Sequence, residues 1–150
     1  MQDLPELIDM WRNLRKEQDD FFPDYKVYKN NFIELTTEYF SKCISSNKYF
    51  ILIAESNSKP VGYILTEIQD FFPPIYDWEK EAQVKNVFVK PGFRGKGIGK
   101  ELISRTQKFY GNDIDMFTVT VNFMNEKAIE FYKKNGLKEF SIRMYKLVEK

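Results

Sequence analysis

Apolar residues along this chain follow two rhythms, and the places where one gives way to the other mark its elements. Leu4, Leu7, Ile8, Trp11 and Leu14 recur at helical spacing, with Pro5 in a first-turn position. Phe21-Phe22-Pro23-Asp24-Tyr25 breaks that pattern as an aromatic loop. A second amphipathic helix starts at Asn30 or Asn31, either of which can cap it, and runs to Ile44 with Phe32, Leu35, Thr36, Tyr39, Phe40 and Cys43 on one face. The period then changes. Residues 49–55 (YFILIAE) and 61–68 (VGYILTEI) read as strands joined by a compact turn, hence a hairpin, with Gly62 marking a candidate bulge. Residues 71–78 (FFPPIYDW) are too proline-broken for a strand; they read either as a loop packing its own aromatics on the core or as the wall of a pocket. A strand over 81–89 follows. Ile98, Leu102, Ile103, Thr106, Phe109 and Tyr110 then form the buried side of a helix that stops at Gly111-Asn112. A strand over 114–121 precedes a short helix over 125–135 built on Ala128, Ile129, Phe131 and Tyr132, with Gly136 as its C-terminal cap. Residues 137–140 and 142–148 read as closing strands. The order αα-βββ-α-β-α-ββ with short connections predicts an α/β fold, a mixed sheet covered by helices, and one domain over residues 1–150.

Composition narrows the partners. Of 150 residues, 43% are hydrophobic and 17% aromatic, which supports a folded chain. A net charge of +1 with both signs interspersed gives no footprint for nucleic acid or a membrane surface, so an anionic ligand would need a local site. Cys43 is alone, so no disulfide closes within the chain, and histidine is absent. The commonest general base and the usual zinc ligands are therefore missing, and no metal is expected. No signal peptide or membrane-length apolar run is seen, which points to the cytoplasm by default.

The chemistry concentrates at residues 84–99, VKNVFVKPGFRGKGIG. A strand stops at Pro91-Gly92, a glycine-rich turn follows, and a helix starts on that turn. Amides in the first helical turn lack partners inside the helix and sit at its positive end, so this junction is an anion site. Gly95, Gly97 and Gly99 let the backbone curl around a bulky oxyanion, and Arg94 and Lys96 add charge there. A plain connection would need at most one such glycine. The spacing Gly-x-Gly-x-Gly in mid-chain is neither the dinucleotide fingerprint nor a nucleotide-triphosphatase loop, which needs Gly-Lys-Ser/Thr.

Joined to Asn125-x-x-Ala128-x-x-x-Tyr132-x-x-x-Gly136, the run Arg94-Gly95-Lys96-Gly97-Ile98-Gly99 resembles the Arg/Gln-x-x-Gly-x-Gly/Ala motif of the GNAT superfamily of acyl-CoA-dependent N-acetyltransferases, over roughly residues 4–147. The resemblance implies a mostly antiparallel mixed sheet splayed open where acetyl-CoA binds, between the strand ending at Val89 and the one ending near Val121. It implies cofactor contacts from Val87, Phe88 and Val89 to the pantetheine arm. Residues 94–99, including Lys96 and Ile98, would take the pyrophosphate; Asn122 and Asn125 would contact the arm or its loop, and Tyr132 would lie beside the thioester sulfur. On residue type alone, Asn125 reads equally as a helix cap and Tyr132 as a core aromatic.

An amine attacking a thioester needs both reactants positioned, a donor for the developing oxyanion, a proton for the departing sulfur and a base for the ammonium. The strand amide near Val89 suits the oxyanion. The Tyr132 hydroxyl, at an ordinary value of ~10, suits a thiol of ~8.5, whereas Cys43 reads as a core residue. Counting by twos from Val89 sets Val87, Lys85, Gln83 and Glu81 on one pocket-facing row. Gln83 stands where a lysine-acetylating relative would carry its glutamate and cannot accept a proton, which leaves Glu81 as the candidate base; a solvated strand-end carboxylate is the alternative. Phe21, Phe22, Phe71, Phe72, Tyr76 and Trp78, with Asp19, Asp20, Asp24, Asp70 and Asp77 near them, suggest a vestibule for a cationic amine acceptor, either a small molecule or a peptide. Relatives usually begin with a strand, whereas helix residues start here by Leu4, which leaves a sheet edge in question and is compatible with a homodimer. Two other readings stay open: a non-catalytic CoA-binding module, and an unrelated nucleotide-phosphate-binding protein.

Overall fold

The structure is a computed structural model that describes residues 3–21 and 29–148. Its centre is a four-stranded sheet in the order β1-β2-β3-β4, with strands β1 (Tyr49–Ser56), β2 (Lys59–Asp70), β3 (Lys80–Val89) and β4 (Met116–Val119). The first three run antiparallel and β4 lies parallel to β3. Helices α1 (Leu4–Asp19) and α2 (Phe32–Ser45) precede the sheet; α3 (Ile98–Tyr110) follows β3 and α4 (Glu126–Lys134) follows β4. This is the mixed, mostly antiparallel architecture expected from the sequence.

Alternation along the strands feeds two cores. Tyr63, Leu65 and Phe88 bury against Leu7, Met10, Leu14, Phe40 and Cys43 of α1 and α2, while Ile64 and Val84 bury against Leu102, Ile103 and Tyr132 of α3 and α4. Thr66 extends the second side: its hydroxyl lies 2.7 Å from the Tyr110 hydroxyl, and Phe50 stacks on Phe109 at 3.9 Å, pinning α3 to the sheet. The β1–β2 turn needs only Asn57 and Ser58, both at positive φ (51° and 57°), as a tight hairpin of right-handed twist requires. The bulge expected near Gly62 falls one residue earlier: Ala54 pairs Gly62 and Glu55 pairs Pro60, leaving Val61 extra. Gly62 itself is fixed by crowding, since a Cβ there would sit 2.8 Å from the Phe88 carbonyl oxygen. At the end of α4, Gly136 (φ 87°) donates to the Lys133 carbonyl and Leu137 to that of Tyr132, the paired bonds of a glycine-capped helix end.

The closing strands are not formed. Residues 137–148 carry no strand, and Phe140, Ile142, Met144 and Val148 stay exposed. Their alternating pattern predicts a strand, but a strand also requires pairing with a neighbour's edge, and these residues pair with none of the four described strands. Residues 22–25 of the expected aromatic loop, including Phe22 and Asp24, lie outside the described residues.

Candidate active site

The site is built where β3 and β4 part. Their parallel pairing runs from Glu81↔Met116 to Val84↔Val119 and stops there. One residue later β3 carries a bulge: Leu65 pairs Asn86 and Thr66 pairs Val84, so the backbone of Lys85 is left out of the ladder with β2. Beyond the bulge the peptide groups of β3 can be assigned. Lys90 donates to the Val61 carbonyl and Gly62 faces Val89, so the hydrogen-bonded pairs with β2 fall at Lys90 and Phe88. The N–H and C=O of Val87 and Val89 therefore point away from β2, toward the gap left by β4.

The bulge also breaks the row read by counting in twos. Val87 and Val89 pack on the α3/α4 side with Val84, whereas Glu81 and Gln83 alternate with Ala82 and Val84 and so lie on the α1/α2 side. Glu81 accepts hydrogen bonds from Gln69 Nε2 and from Thr118 Oγ1, the latter at 3.3 Å, inside the zipped part of the β3–β4 pair. Three to four residues separate it from the vertex, about 10–13 Å at strand rise. The carboxylate that touches the bulge is that of Glu67, 3.1 Å from Lys85 Nζ, which also donates to Gln83 Oε1 at 2.9 Å. Glu67 escaped the sequence reading because its place depends on the β2–β3 register; the hairpin could have supplied that signal once the bulge was known.

At the other end of the gap, Pro91–Phe93 makes a single 3-10 turn before the glycines. The Arg94 N–H donates to the Pro91 carbonyl at 3.2 Å and is thus already used. Gly95 and Gly97 adopt φ of 75° and 83°, a region that L side chains enter at a cost. The first bond of α3 is Glu101 N–H to the Gly97 carbonyl at 3.0 Å. The amides of Ile98, Gly99 and Lys100 are left as donors at a helix start. Gly99 also serves packing: a Cβ there would lie 3.1 Å from Phe131 Cζ.

The Arg94 side chain turns back from the turn. Its Nε donates to the Val89 carbonyl at 2.7 Å, and its Nη2 straddles both Glu17 carboxylate oxygens at 2.7 and 3.0 Å while the guanidinium lies over the Phe88 ring. The Val89 carbonyl is thereby occupied, leaving its N–H. Phe88, expected among the cofactor contacts, directs its ring into the α1/α2 core and its backbone to β2. Lys96 sits over Phe93, with Nζ 5.2 Å from the ring centre.

Across the gap, Asn122 donates through Nδ2 to the Phe21 carbonyl at 3.1 Å and accepts from the Met124 N–H at 2.9 Å. Asn125 caps α4, its Oδ1 accepting from the Ala128 N–H at 3.1 Å, so the capping reading of that residue holds. The end of α1 thus reaches both lips of the opening, Arg94 through Glu17 and Asn122 through Phe21. Tyr132 is buried beside Val84 and Leu102, and desolvation pushes its hydroxyl up to about 12. That departs from the ordinary value expected from sequence, because the phenolate would sit among aliphatic groups. Phe71 is buried under Tyr76 and Trp78, with ring centres at 6.0 and 5.4 Å. The loop therefore packs on itself, while Phe72 and Ile75 remain exposed.

A gap bordered by outward peptide groups, with unpartnered helix amides at one end and a buried tyrosine along it, fits an extended acyl-pantetheine ligand ending in a diphosphate. Residues 9–137 match the family model of the acetyltransferase (GNAT) family. The chain belongs to that family. Among relatives, it is 32% identical over 145 residues to MJ1207 of Methanocaldococcus jannaschii, an uncharacterized N-acetyltransferase, with 85% of this chain and 60% of that protein covered. It is 24% identical to an uncharacterized N-acetyltransferase of Archaeoglobus fulgidus, covering 83% and 90%. The chain thus spans about 60% of the length of MJ1207. Among solved structures, a tetramutant of the BH1408 protein from Bacillus halodurans superposes with a TM-score of 0.84 at 18% identity, covering 98% of this chain and 95% of that one. The enzyme AAC(6')-Iy in complex with a CoA-S-monomethyl-acetylneamine bisubstrate analog superposes with 0.70 at 17% identity, covering 95% and 91%. These likenesses show the GNAT fold. Among the described residues there is no cluster of three metal-ligating side chains and no helix long and apolar enough to cross a membrane.

Proposed function

We propose that this chain is an N-acetyltransferase that moves the acetyl group of acetyl-CoA onto a primary amine by direct attack, both substrates being bound together. The observation that carries this reading is the splay of β3 from β4 beginning at the Lys85 bulge, with the peptide groups of Val87 and the N–H of Val89 facing it and the amides after Gly97 at its end. Acetyl-CoA, when bound, supplies the activated acyl carbon and a thiolate leaving group. Val87 and Val89 would hold its arm as an added strand is held. The amides of Gly95, Lys96, Gly97, Ile98 and Gly99 would take the diphosphate. Arg94 would serve by tying the strand end to α1 rather than by gripping phosphate, and Asn122 and Asn125 by fixing the facing loop.

The Val89 N–H is preorganised to stabilise charge on the carbonyl oxygen. Tyr132 would donate a hydrogen bond to the departing sulfur. The amine must lose a proton before it attacks, and neither Glu81 in the zipped strands nor Glu67 at the bulge borders the gap directly; the proton would leave through water to one of these carboxylates. The AAC(6')-Iy complex supports a two-substrate arrangement on this fold. The acceptor end would be the loop of Phe71, Tyr76 and Trp78, which suits a cationic amine or peptide. Incubation with acetyl-CoA and a mixed amine and peptide library, read by mass spectrometry and thiol release, tests the proposal. CoA binding with no acetylated product and no amine-dependent thiol release would reduce the protein to a binding module.

A further inference from the structure

We infer that the far tip of the β2–β3 hairpin is a docking surface for a lysine- and arginine-rich segment of another protein, whose acceptor amine is thereby brought to the acetyl group. Phe72, Ile75, Tyr76 and Trp78, within residues 72–78, are 82%, 79%, 56% and 44% exposed. They stand on a braced base. The Phe71 N–H donates to the Glu79 carbonyl at 2.7 Å, carrying the ladder one pair beyond Asp70 and Lys80. The Phe71 ring is buried beneath Tyr76 and Trp78. Asp115 Oδ2 accepts from the Glu79 and Lys80 N–H groups at 2.8 and 3.0 Å, which fastens the tip to the chain leading into β4. Aromatic surface held open on such a support marks a place of contact with a partner.

Charge names the partner. Asp70, Asp77, Glu79, Asp113 and Asp115 lie at the same end of the sheet, all exposed. Lys80 answers Asp70 at 2.7 Å, with Lys48 near the same carboxylate. Asp77, Glu79 and Asp113 have no ion pair among the described residues. Aromatic faces beside carboxylates attract ammonium and guanidinium groups and pack their aliphatic stems. The same charge repels nucleic acid, an anionic membrane and the identical tip of a second copy. Distance then separates a peptide from a small amine, a step that rests on the acetyltransferase reading. From Lys80 to the Val89 N–H the chain runs the whole of β3, about 25–30 Å at ~3.3 Å per residue. A small amine seated on the tip cannot span that gap. An extended peptide covers it in about seven to nine residues.

Trp78 reports binding directly once Trp11, the other tryptophan, is replaced by phenylalanine. Emission of the full Trp11→Phe chain is titrated with octa-arginine and with octaglutamate, without acetyl-CoA. Octa-arginine should change it saturably and octaglutamate should not. Adding Glu79→Lys/Asp113→Lys should weaken octa-arginine binding at least about ten-fold with an unchanged circular dichroism spectrum. A flat titration, or a charge-reversed chain that binds as tightly as its parent, would overturn the docking surface. So would self-association of the wild type, seen by light scattering and abolished by Ile75→Asp, because a second copy would then cover the patch. Peptides with an arginine run and one lysine about eight residues away should show a lower KM than peptides with the two adjacent; equal values would overturn the reach. Octa-arginine binding with no acetylation of any peptide or amine would leave the docking surface standing and remove the acetyltransferase reading. Acetylation of small amines without octa-arginine binding would do the reverse.

Discussion

Replacing Tyr132 by phenylalanine isolates the chemistry proposed for α4. Burial lifts the hydroxyl to about 12, while a thiol ordinarily sits at ~8.5. Full proton transfer to the departing sulfur would then be uphill by about 3.5 units, or roughly 5 kcal/mol at ~1.36 kcal/mol per unit. The hydroxyl is thus suited to donate a hydrogen bond to developing negative charge rather than to surrender its proton. Such a bond contributes about 1.5–3 kcal/mol, so Tyr132→Phe should lower kcat roughly 10- to 150-fold. Folding stability should hardly change, because no hydrogen bond to another described residue is lost and only desolvation weighs on the group. CoA affinity should also hold, since the bond forms in the transition state and not in the ground state. Thiol release under saturating acetyl-CoA reads kcat, calorimetry with CoA reads affinity, and thermal melting reads stability. A variant with wild-type kcat, or one whose loss lies wholly in CoA affinity, would refute the assignment. A rate limb in the wild type well below pH 10 that vanishes in the variant would refute the raised value.

Gly97→Asp adds a side chain at φ 83° and a negative charge beside amides meant for a diphosphate; CoA affinity should fall at least about ten-fold, about 1.4 kcal/mol or more, and an unchanged calorimetric Kd would displace the diphosphate from this turn. Tyr132 also carries a linkage effect: its folded value of about 12 lies above the unfolded ~10, so the unfolded chain loses its proton first and stability falls as pH rises from ~10 to 12. Up to about 3 kcal/mol is at stake, and Tyr132→Phe should flatten that limb in denaturant melts collected against pH. Glu67→Gln and Glu81→Gln divide the base role: whichever carboxylate relays the proton, its loss should lower kcat/KM by about 10²–10⁴ and remove the acidic limb of the pH profile; two unchanged profiles would leave the proton to solvent. Tyr63→Phe removes a buried hydroxyl that has no hydrogen-bond partner among the described residues, so stability should hold or rise by about 1 kcal/mol; a large loss in a denaturant melt would reveal a partner.

What was legible in the chain was whatever local chemistry decides. Helix and strand rhythm set the two faces of β1 and β2, since Tyr63 and Leu65 must oppose Ile64 whatever else the chain does. The glycine turn announced a helix start with spare donors, and Gly136 announced the end of α4, because positive φ is a property of single residues. The failures share a different cause. Glu81 was set on the row of Val87 because alternation assumes an unbroken ladder, and the extra residue at Lys85 exists only relative to β2. Arg94 was credited with phosphate because its neighbours suggest an anion; its actual partner, Glu17, is an α1 residue whose position depends on how that helix lies across the sheet. Gly99 was given a glycine's place by the anion turn alone, while the ring of Phe131, thirty-odd residues later, supplies a second reason against a side chain there. Residues 137–148 carry a strand's pattern without a strand, since periodicity shows which face seeks burial but not which edge provides it. In each case the missing term is a contact between elements distant in sequence, and for Glu81, Arg94 and Gly99 it lies at or beside β3. The strand that bears the site is therefore also where sequence periodicity is least able to assign roles, because the bulge that opens it to a ligand is the irregularity that defeats counting.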